Sequence, residues 1–378
     1  IQRRKNMKSR FATFIISVII ILIILILGIF GIAIWQEVTG EEVSPQNIIT
    51  QISSEDTSEN QVVTPNVVEN TLDNIMAENR TDTNVDTTTI QIDKYLYNQL
   101  DNESKIIYQA FEKNKENMKS GTYQVEFGNQ FSSVLSQTNG QDKLADYYQS
   151  AIEAYTYDNP DVFYLSPNKM YLNIESTTRG NNVTYNVFMN QGSSNSNYLI
   201  DEFSSKAEVD RALNEIENVK NNIIANRTGN TYQDIRMVHD YLVDNIEYDS
   251  SISLPNIYNI YGALVNGKAV CEGYARSFKY LMDELGIPCV LVIGTGTNSE
   301  GQTEDHAWNY VEVNGSWYAI DTTWDDPILR GGGTLPSSAK YRYFLKGSTE
   351  FYQDHTPRGN FTEGGKIFNY PTLSTSGI

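Results

Sequence analysis

Cysteine and histidine are scarce in this chain of 378 residues. It contains two cysteines, Cys271 and Cys289, and three histidines. Disulfide-stapled domains and structural zinc sites need clusters of such residues, so the composition argues against both classes. A bridge between Cys271 and Cys289 would join a predicted helix start to the strand after that helix, and we expect two free thiols instead. Cys289 lies in the apolar run 288–293 and is predicted to be a buried structural residue.

Basic residues are fewer than acidic residues in this chain. Lys and Arg number 28 against 47 Asp and Glu, which gives a net charge of −19 at pH 7. Residues 1–10 hold a basic cluster, and no basic stripe follows it in the sequence. Nucleic acids attract proteins through basic surfaces, so we expect no nucleic-acid partner.

Residues 11–35 form one long apolar run. A helix of this length can cross about 30 Å of hydrocarbon. The basic tail 1–10 precedes the run and acidic residues follow it, so the positive-inside rule places the tail in the cytoplasm and the rest outside. We therefore expect a single-pass protein of the cell membrane. A cleaved signal peptide is the alternative, which the length of the run disfavours. The chain begins at Ile1, and Met7 is a candidate start residue.

Residues 36–91 contain few aromatic residues, eleven acidic residues and one basic residue. Such a composition buries too little apolar surface to fold, so this segment is predicted to be a disordered acidic stalk. From residue 92 the composition becomes globular, and the order of predicted helices and strands indicates an α+β fold. We expect a smaller N-terminal α+β region at 92–204 and a catalytic domain at 205–378. The predicted elements ahead of the candidate catalytic residues are helices at 102–119, 143–157, 205–226 and 232–246 and strands at 123–127, 162–165, 170–174 and 183–189.

Cys271 opens a segment in which apolar residues recur with helical spacing, at Tyr274, Ala275, Phe278, Leu281, Met282 and Leu285. This period predicts an amphipathic helix that Gly286 ends. At a helix start, free N–H groups and the helix dipole favour a thiolate and can hold an oxyanion. Tyr258 and Tyr261 are candidates for a second oxyanion donor. The segment therefore predicts that Cys271 is a nucleophile.

Two arms with alternating side chains, 306–313 and 316–324, flank the dipeptide Asn314-Gly315. This dipeptide is a strong hairpin signal, and a two-residue turn sets the register of the strands. In that register His306 and Asp321 are diagonal neighbours on one face. We expect Asp321 to accept the Nδ1 proton of His306, which leaves Nε2 free to act on a thiol. The alternatives are a core histidine at His306 and a strand-end cap at Asp321.

Two other histidines lie outside this pattern. His239 falls in a helical pattern, and a structural role near the site is the better interpretation. His355 is predicted to lie in a loop beside Pro357 near the C-terminus. Three aromatic residues are candidates for the wall of the site or for core packing, and Trp308 is the better candidate because it shares the face of His306: Trp308, Tyr274 and Trp324.

Five segments carry a family resemblance: Tyr261-Gly262-Ala263-Leu264-Val265, Val270-Cys271-Glu272-Gly273-Tyr274-Ala275, Leu285-Gly286-Ile287-Pro288-Cys289, His306-Ala307-Trp308-Asn309 and Asp321-Thr322-Thr323-Trp324-Asp325-Asp326-Pro327. Together they resemble the transglutaminase-like superfamily of papain-like fold, in particular its cell-surface proteins from Gram-positive bacteria. The segment 158–164 is similar to one that precedes this core in such proteins. The resemblance implies a catalytic triad of Cys271, His306 and Asp321. It also implies a core in which the cysteine helix packs on an antiparallel sheet that carries the histidine and the aspartate.

The resemblance implies acyl transfer through a thioester, with a peptide bond or a glutamine side chain as the amide under attack. Nothing in the sequence marks an amine site, so hydrolysis by a protease or amidase is slightly favoured. A cross-linking transglutaminase is the first alternative, and a catalytically silent binding module at the cell wall is the second. The expected partner is a protein, a peptide or a cell-wall peptide. No cofactor and no metal site is expected.

Overall fold

A computed structural model describes residues 66–71, 85–326, 337–362 and 364–378. The described residues belong to the compact unit Asn60–Ile378. The predicted basic tail 1–10, the predicted membrane helix 11–35 and most of the predicted stalk 36–91 lie outside the described residues. Within the described ranges, no helix is both long and apolar enough to span a membrane.

The first sheet has four strands in the order β1-β3-β4-β2: β1 (Asn66–Thr71), β2 (Val125–Gly128), β3 (Tyr171–Arg179) and β4 (Asn182–Asn190). Strand β1 runs parallel to β3, and the other pairs are antiparallel. The prediction of a disordered segment was wrong for the six residues of β1. An edge strand can join a sheet through its backbone hydrogen bonds alone, so its sequence need not carry an apolar pattern.

A short parallel pair, β5 (Glu247–Tyr248) and β6 (Lys268–Ala269), lies in the sequence between the strands of the two larger sheets. The second four-stranded sheet positions the candidate site. Its strands β7 (Cys289–Thr297), β8 (Thr303–Val313), β9 (Ser316–Ile320) and β10 (His355–Arg358) follow the order β10-β7-β8-β9 and are all antiparallel. The antiparallel sheet implied by the resemblance is therefore present. Strand β10 was not predicted, because a four-residue strand carries little periodicity.

The predicted hairpin and its register are confirmed between β8 and β9. Both turn residues have left-handed backbone angles, with φ 53° at Asn314 and φ 79° at Gly315, as a type I′ turn requires. Val313 pairs with Ser316. The second arm is shorter than predicted, since β9 ends at Ile320 and the chain then turns. Asp321 thus follows the strand directly instead of lying within it.

The helices described are α1 (Asn102–Met118), α2 (Ser132–Leu135), α3 (Gly140–Asp158), α4 (Lys206–Ile224), α5 (Thr231–Asn245), α6 (Cys271–Leu285) and α7 (Ser348–Phe351). The four helices predicted ahead of the cysteine are confirmed as α1, α3, α4 and α5. The predicted strand 162–165 is wrong, because Pro160 opens a short 3-10 turn at Pro160–Val162. Proline fixes φ near −65° and suits the first position of such a turn.

Helix α6 packs on strands β7 and β8. Each face of the sheet contributes side chains to a different apolar cluster. The helix side includes Phe278 of α6 and Val311 of β8, both fully buried. The other side holds Trp308 and Tyr310 of β8. This division follows from the period-two alternation of side chains along β8.

One apolar core extends across residue 204. The same cluster contains Tyr155 of α3 and Leu281 of α6. Arg276 of α6 also donates to the carbonyl of Thr156 at 2.8 Å, and its guanidinium lies 4.5 Å from the ring centre of Tyr157. The region 92–204 therefore packs directly on the helix that carries Cys271. The boundary between two domains at this point stays a prediction.

Candidate active site

Cys271 is the first residue of α6, and its thiol is free and half-buried. The residue before it, Val270, provides no side-chain cap, so the first N–H groups of the helix are not taken by an N-cap side chain. Such groups favour an anion at the helix start. Gly273 lets the chain pass closely here, since a Cβ at Gly273 would lie 2.4 Å from the carbonyl oxygen of Ile257. The backbone thus forms a tight wall beside the thiol.

His306 lies near the start of β8 and is 5% exposed. Its Nε2 lies 2.7 Å from Oδ2 of Asp321. Its ring stacks on Trp324, with the ring centres 5.0 Å apart. Cys271 also interacts with this ring and contributes to the raised pKa of His306. The structure therefore brings the three predicted catalytic side chains together in the order Cys271, His306, Asp321.

Asp321 is 1% exposed and holds four hydrogen-bond donors. Its Oδ1 accepts from the backbone N–H groups of Thr323 at 2.9 Å and Trp324 at 3.1 Å. Its Oδ2 accepts from Nε2 of His306 at 2.7 Å and from Nε2 of His355 at 3.1 Å. A buried carboxylate needs such compensation, and the four donors fix its orientation.

The predicted orientation of the His306 ring was wrong. We expected Asp321 to accept from Nδ1, and the structure places Nε2 against Asp321 instead. Nδ1 is consequently the ring nitrogen that remains for Cys271. Sequence register fixes which face a side chain occupies, but the rotation of the imidazole depends on the cage around it.

Charge pairing sets the protonation of the histidine and the aspartate. Burial alone would lower the pKa of His306, but the Asp321 carboxylate and the contact with Cys271 raise that pKa above its usual value. Burial alone would raise the pKa of Asp321, but the charge and hydrogen bond of His306 hold that pKa well below its usual range. The pair therefore favours an imidazolium beside a carboxylate at neutral pH.

His355 was missed as a site residue. It was predicted to lie in a loop, whereas it is the first residue of β10 and is 1% exposed. The side chains of His306, Asp321 and His355 bring their ligand atoms within 4.8 Å of one another, close enough to consider a metal ion. Little in the sequence indicates this contact, because His355 follows Asp321 by 34 residues and strand pairing in the sheet brings the two together.

The three wall candidates occupy different places. Trp308 is 1% exposed and Trp324 is partly buried, and their rings lie 5.9 Å and 5.0 Å from the His306 ring. Tyr274 is fully buried, and its hydroxyl oxygen lies 2.6 Å from Oδ2 of Asp326 and 3.0 Å from the carbonyl oxygen of Ile246. The tryptophans therefore line the histidine, while Tyr274 lies within the core.

Two tyrosines lie beside the thiol. Burial and then the charge of Cys271 raise the pKa of the half-buried Tyr248. Burial, followed by the charges of Glu272 and Cys271, raises the pKa of Tyr258, which is 43% exposed. Tyr261, the other suggested oxyanion donor, instead donates to Glu215 at 2.7 Å. Of the two candidates, Tyr258 is the one near the sulfur.

His239 and Cys289 have structural surroundings. His239 is fully buried between Asp240, 3.0 Å from Nδ1, and Asp325, 3.1 Å from Nε2. Cys289 is 5% exposed on β7, and burial raises the pKa of its thiol. A buried protonated thiol is a poor nucleophile. The half-buried Cys271 is therefore the thiol that can do chemistry.

Comparison with known proteins finds a family match and several similar proteins. Residues 217–322 match the family model described as the transglutaminase-like superfamily. Kyphoscoliosis peptidase of Mus musculus is 27% identical over 173 residues, which cover 42% of this chain and 25% of that protein. Kyphoscoliosis peptidase of Homo sapiens is 28% identical over 138 residues, which cover 32% of this chain and 20% of that protein. The chain thus spans a quarter or less of the length of these curated relatives.

A crystal structure of a TGase is also similar, with a TM-score of 0.28 and 15% identity over 45% of this chain and 48% of that one. Cys271, His306 and Asp321 all fall inside the range 217–322, whereas His355 falls outside it. The geometry of these three side chains and the family match thus concern the same segment. The chain contains a transglutaminase-like superfamily domain.

Proposed function

We propose that this protein is a thiol acyl enzyme that attacks amide bonds of proteins or peptides through a thioester at Cys271. The observation that carries the proposal is the position of the Cys271 thiol. The thiol is half-buried at an uncapped helix start, and it contacts His306, which Asp321 holds. Such a thiol is activated by its imidazole partner.

The reaction has two halves. The Sγ of Cys271 attacks the amide carbonyl carbon, and the tetrahedral oxyanion accepts hydrogen bonds from N–H groups at the start of α6. His306 then protonates the leaving amine as the C–N bond breaks, which leaves a thioester. Water attacks the thioester while His306 takes its proton, and the products are a carboxylic acid and the thiol. Asp321 holds the imidazole and stabilises its charged form.

We favour water over an amine as the acyl acceptor, in keeping with the name peptidase that both curated relatives carry. The reaction is then that of a protease or an amidase. A free amine at the same step would give a cross-link, which is the alternative outcome. The substrate class is the same in both cases, namely a protein, a peptide or a cell-wall peptide.

We also propose that the catalytic part works outside the cell, held at the membrane by residues 11–35, as in cell-surface proteins of Gram-positive bacteria. The long apolar run and the basic residues before it support this location. Protease added to intact cells would remove the catalytic part under this proposal. Full protection of that part until the cells are lysed would contradict it.

The proposed reaction can be tested with denatured casein as the protein substrate. We would incubate the casein with the wild type, Cys271→Ala and Cys289→Ala, and follow new N-termini, released ammonia and incorporation of dansylcadaverine. New N-termini or ammonia that depend on Cys271 support hydrolysis, and amine incorporation supports cross-linking. Cys289→Ala keeps the activity, since that thiol is buried outside the site. An intact-mass search for the acyl adduct on Cys271 gives a second reading. Turnover that persists in Cys271→Ala would contradict the mechanism.

A further inference from the structure

We propose that His355 is a positioning residue of the active site, which holds Asp321 so that Asp321 can orient His306. This inference rests on the proposed function, because it deepens the role of the same site. His355 lies outside the family match of residues 217–322 and outside the sequence pattern of the triad. The proposal comes from its contacts in β10.

The polar contacts of His355 are directed at two carboxylates. Its Nε2 lies 3.1 Å from Oδ2 of Asp321, and its Nδ1 lies 2.7 Å from Oδ1 of Asp354. Carboxylate oxygens accept hydrogen bonds, so the proton on Nε2 is donated to Asp321. Asp354 in turn accepts from the hydroxyl of Tyr343 at 2.8 Å and lies 3.9 Å from the guanidinium of Arg342. His355 therefore joins Asp321 to an anchored carboxylate near the surface.

An aromatic cage fixes the plane of the His355 ring. The ring stacks on Phe351 with the ring centres 4.0 Å apart, and it meets Trp324 at 4.5 Å and Trp308 at 5.0 Å. Its centre lies 5.6 Å from that of His306. A ring held on several sides has little rotational freedom, so its N–H points at Asp321 without further loss of side-chain entropy.

Two glycines in β7 make room for this cage. A Cβ at Gly296 would lie 2.7 Å from the ring of Trp324 and 3.3 Å from Cδ2 of His306. A Cβ at Gly294 would lie 2.5 Å from the ring of Trp308. Glycine inside a strand usually weakens it, which indicates that the space above these two positions is needed. The strand next to β10 is thus shaped around the rings that hold the two histidines.

The effect on catalysis follows from the shared oxygen. Oδ2 of Asp321 accepts from both histidines, and both hydrogen bonds lower the pKa of Asp321. Without the His355 donor, a buried lone pair of Oδ2 would lose its partner, and the carboxylate would be free to rotate away from His306. The imidazole would then hold Nδ1 less firmly toward Cys271. Within the described residues, the charged and titratable groups facing this unit include Cys271, Tyr248, Asp325, Asp354, Tyr343 and Arg342.

A metal ion is the competing explanation for the cluster of His306, Asp321 and His355. The distances of 2.7 Å and 3.1 Å to Oδ2 are those of hydrogen bonds, and the shorter one lies in the charge-assisted range. An ion bound there would also take the Nε2 that His306 presents to Asp321. We therefore assign the cluster to hydrogen bonding, and the experiment below separates the two explanations.

The test uses His355→Phe, which keeps a ring in the cage and removes both ring nitrogens, and His355→Gln, which keeps an N–H donor. The readout is the rate at which iodoacetamide labels Cys271 across pH 6 to 9, with thermal unfolding as the check on folding. We expect His355→Phe to slow labelling at pH 6 by about tenfold or more, the effect of one hydrogen bond to a charged group. The deficit shrinks toward pH 9, and His355→Gln recovers most of the rate.

His239→Phe is the matched control, since it also removes a buried histidine from between two aspartates. It lowers stability and leaves the labelling profile unchanged. Equal labelling of wild type and His355→Phe at pH 6 would overturn the proposal, as would a loss of activity on chelation that zinc restores. If the wild type itself labels slowly at pH 6 and His306→Ala changes nothing, the proposed function fails instead.

A second measurement covers the case in which His355→Phe folds poorly. In the wild type with labelled histidine, NMR detects the N–H protons that His306 and His355 share with Asp321. We expect Asp354→Asn, which loosens His355 from outside, to shift the His306 signal and raise its exchange with water. An unchanged His306 signal in that variant would show that His355 does not position the triad.

Discussion

The protonation of His306 depends on its immediate neighbours. Asp321 and Cys271 raise the pKa of His306 in the folded protein, whereas an unfolded chain holds histidine at about 6.5. The folded state therefore binds the proton more tightly. Its contribution to stability is fully present below about pH 6.5 and is lost as the pH rises through the folded pKa.

This difference predicts how stability changes with pH. We expect the free energy of unfolding of the wild type to fall from pH 6.5 to pH 9, and His306→Gln to flatten that slope. Urea titrations at each pH measure it. Trp324→Phe, which keeps the ion pair of His306 and Asp321, retains the slope. Parallel curves for the wild type and His306→Gln would contradict the assigned charge pair.

The start of α6 is the element on which the nucleophile depends. Gly273→Ala places a methyl group only 2.4 Å from the carbonyl oxygen of Ile257 unless the backbone shifts. We expect this overpacking to cost about 1–3 kcal/mol of stability and to slow labelling of Cys271, because the helix start must shift.

Gly286→Ala, at the other end of α6, is the control that separates a shift of the helix start from a general loss of stability. Gly286 has φ 70° and open space around it, so alanine costs about 1 kcal/mol of backbone strain there. Its labelling rate stays at the wild-type value. Denaturant titration and labelling of both variants make the comparison, and equal labelling of Gly273→Ala and Gly286→Ala would show that the Ile257 contact does not matter.

Local patterns predicted α6 and the β8–β9 hairpin well. Helical spacing of apolar residues and Gly286 determine the extent of α6, and Asn314-Gly315 determines the register of the hairpin. Both elements therefore depend on residues close in sequence. Strand β10 and the contact of His355 with Asp321 depend on pairing across the sheet. The ring orientation of His306 depends on packing as well. Neither is expressed in local periodicity, which is why the proximity of Cys271, His306 and Asp321 was predictable and the contact with His355 was not.

The region before residue 204 and helix α6, which carries Cys271, share one apolar core. The Asp158 carboxylate accepts hydrogen bonds from the backbone N–H groups of Leu96 and Tyr97. The Lys94 ammonium group donates to the backbone carbonyl of Asp158 and to the carboxylate of Asp283, which lies in α6. The segment 158–164, noted for its resemblance, thus begins with a residue that ties the start of the globular region to the cysteine helix. We infer that the two regions unfold together.

Arg276→Ala tests this cooperation. The Arg276 side chain is 12% exposed and bonds to the Thr156 carbonyl and to Glu272, so its loss is expected to cost about 2–3 kcal/mol. Arg236→Ala is the control, because Arg236 also lies over a tyrosine ring but is 46% exposed, and its loss costs less than about 1 kcal/mol. Tryptophan fluorescence and far-UV circular dichroism should show one coincident transition. Two separate transitions would contradict the shared core.

The proposed chemistry depends on activation of the Cys271 thiol by His306. Iodoacetamide labelling against pH tests it most directly, with peptide mapping to read Cys271 and the buried Cys289 separately in the same sample. The account predicts rapid labelling of Cys271 at pH 6, strong slowing in His306→Ala and little reaction at Cys289. Slow labelling of Cys271 at pH 6, with the same profile in His306→Ala, would contradict it.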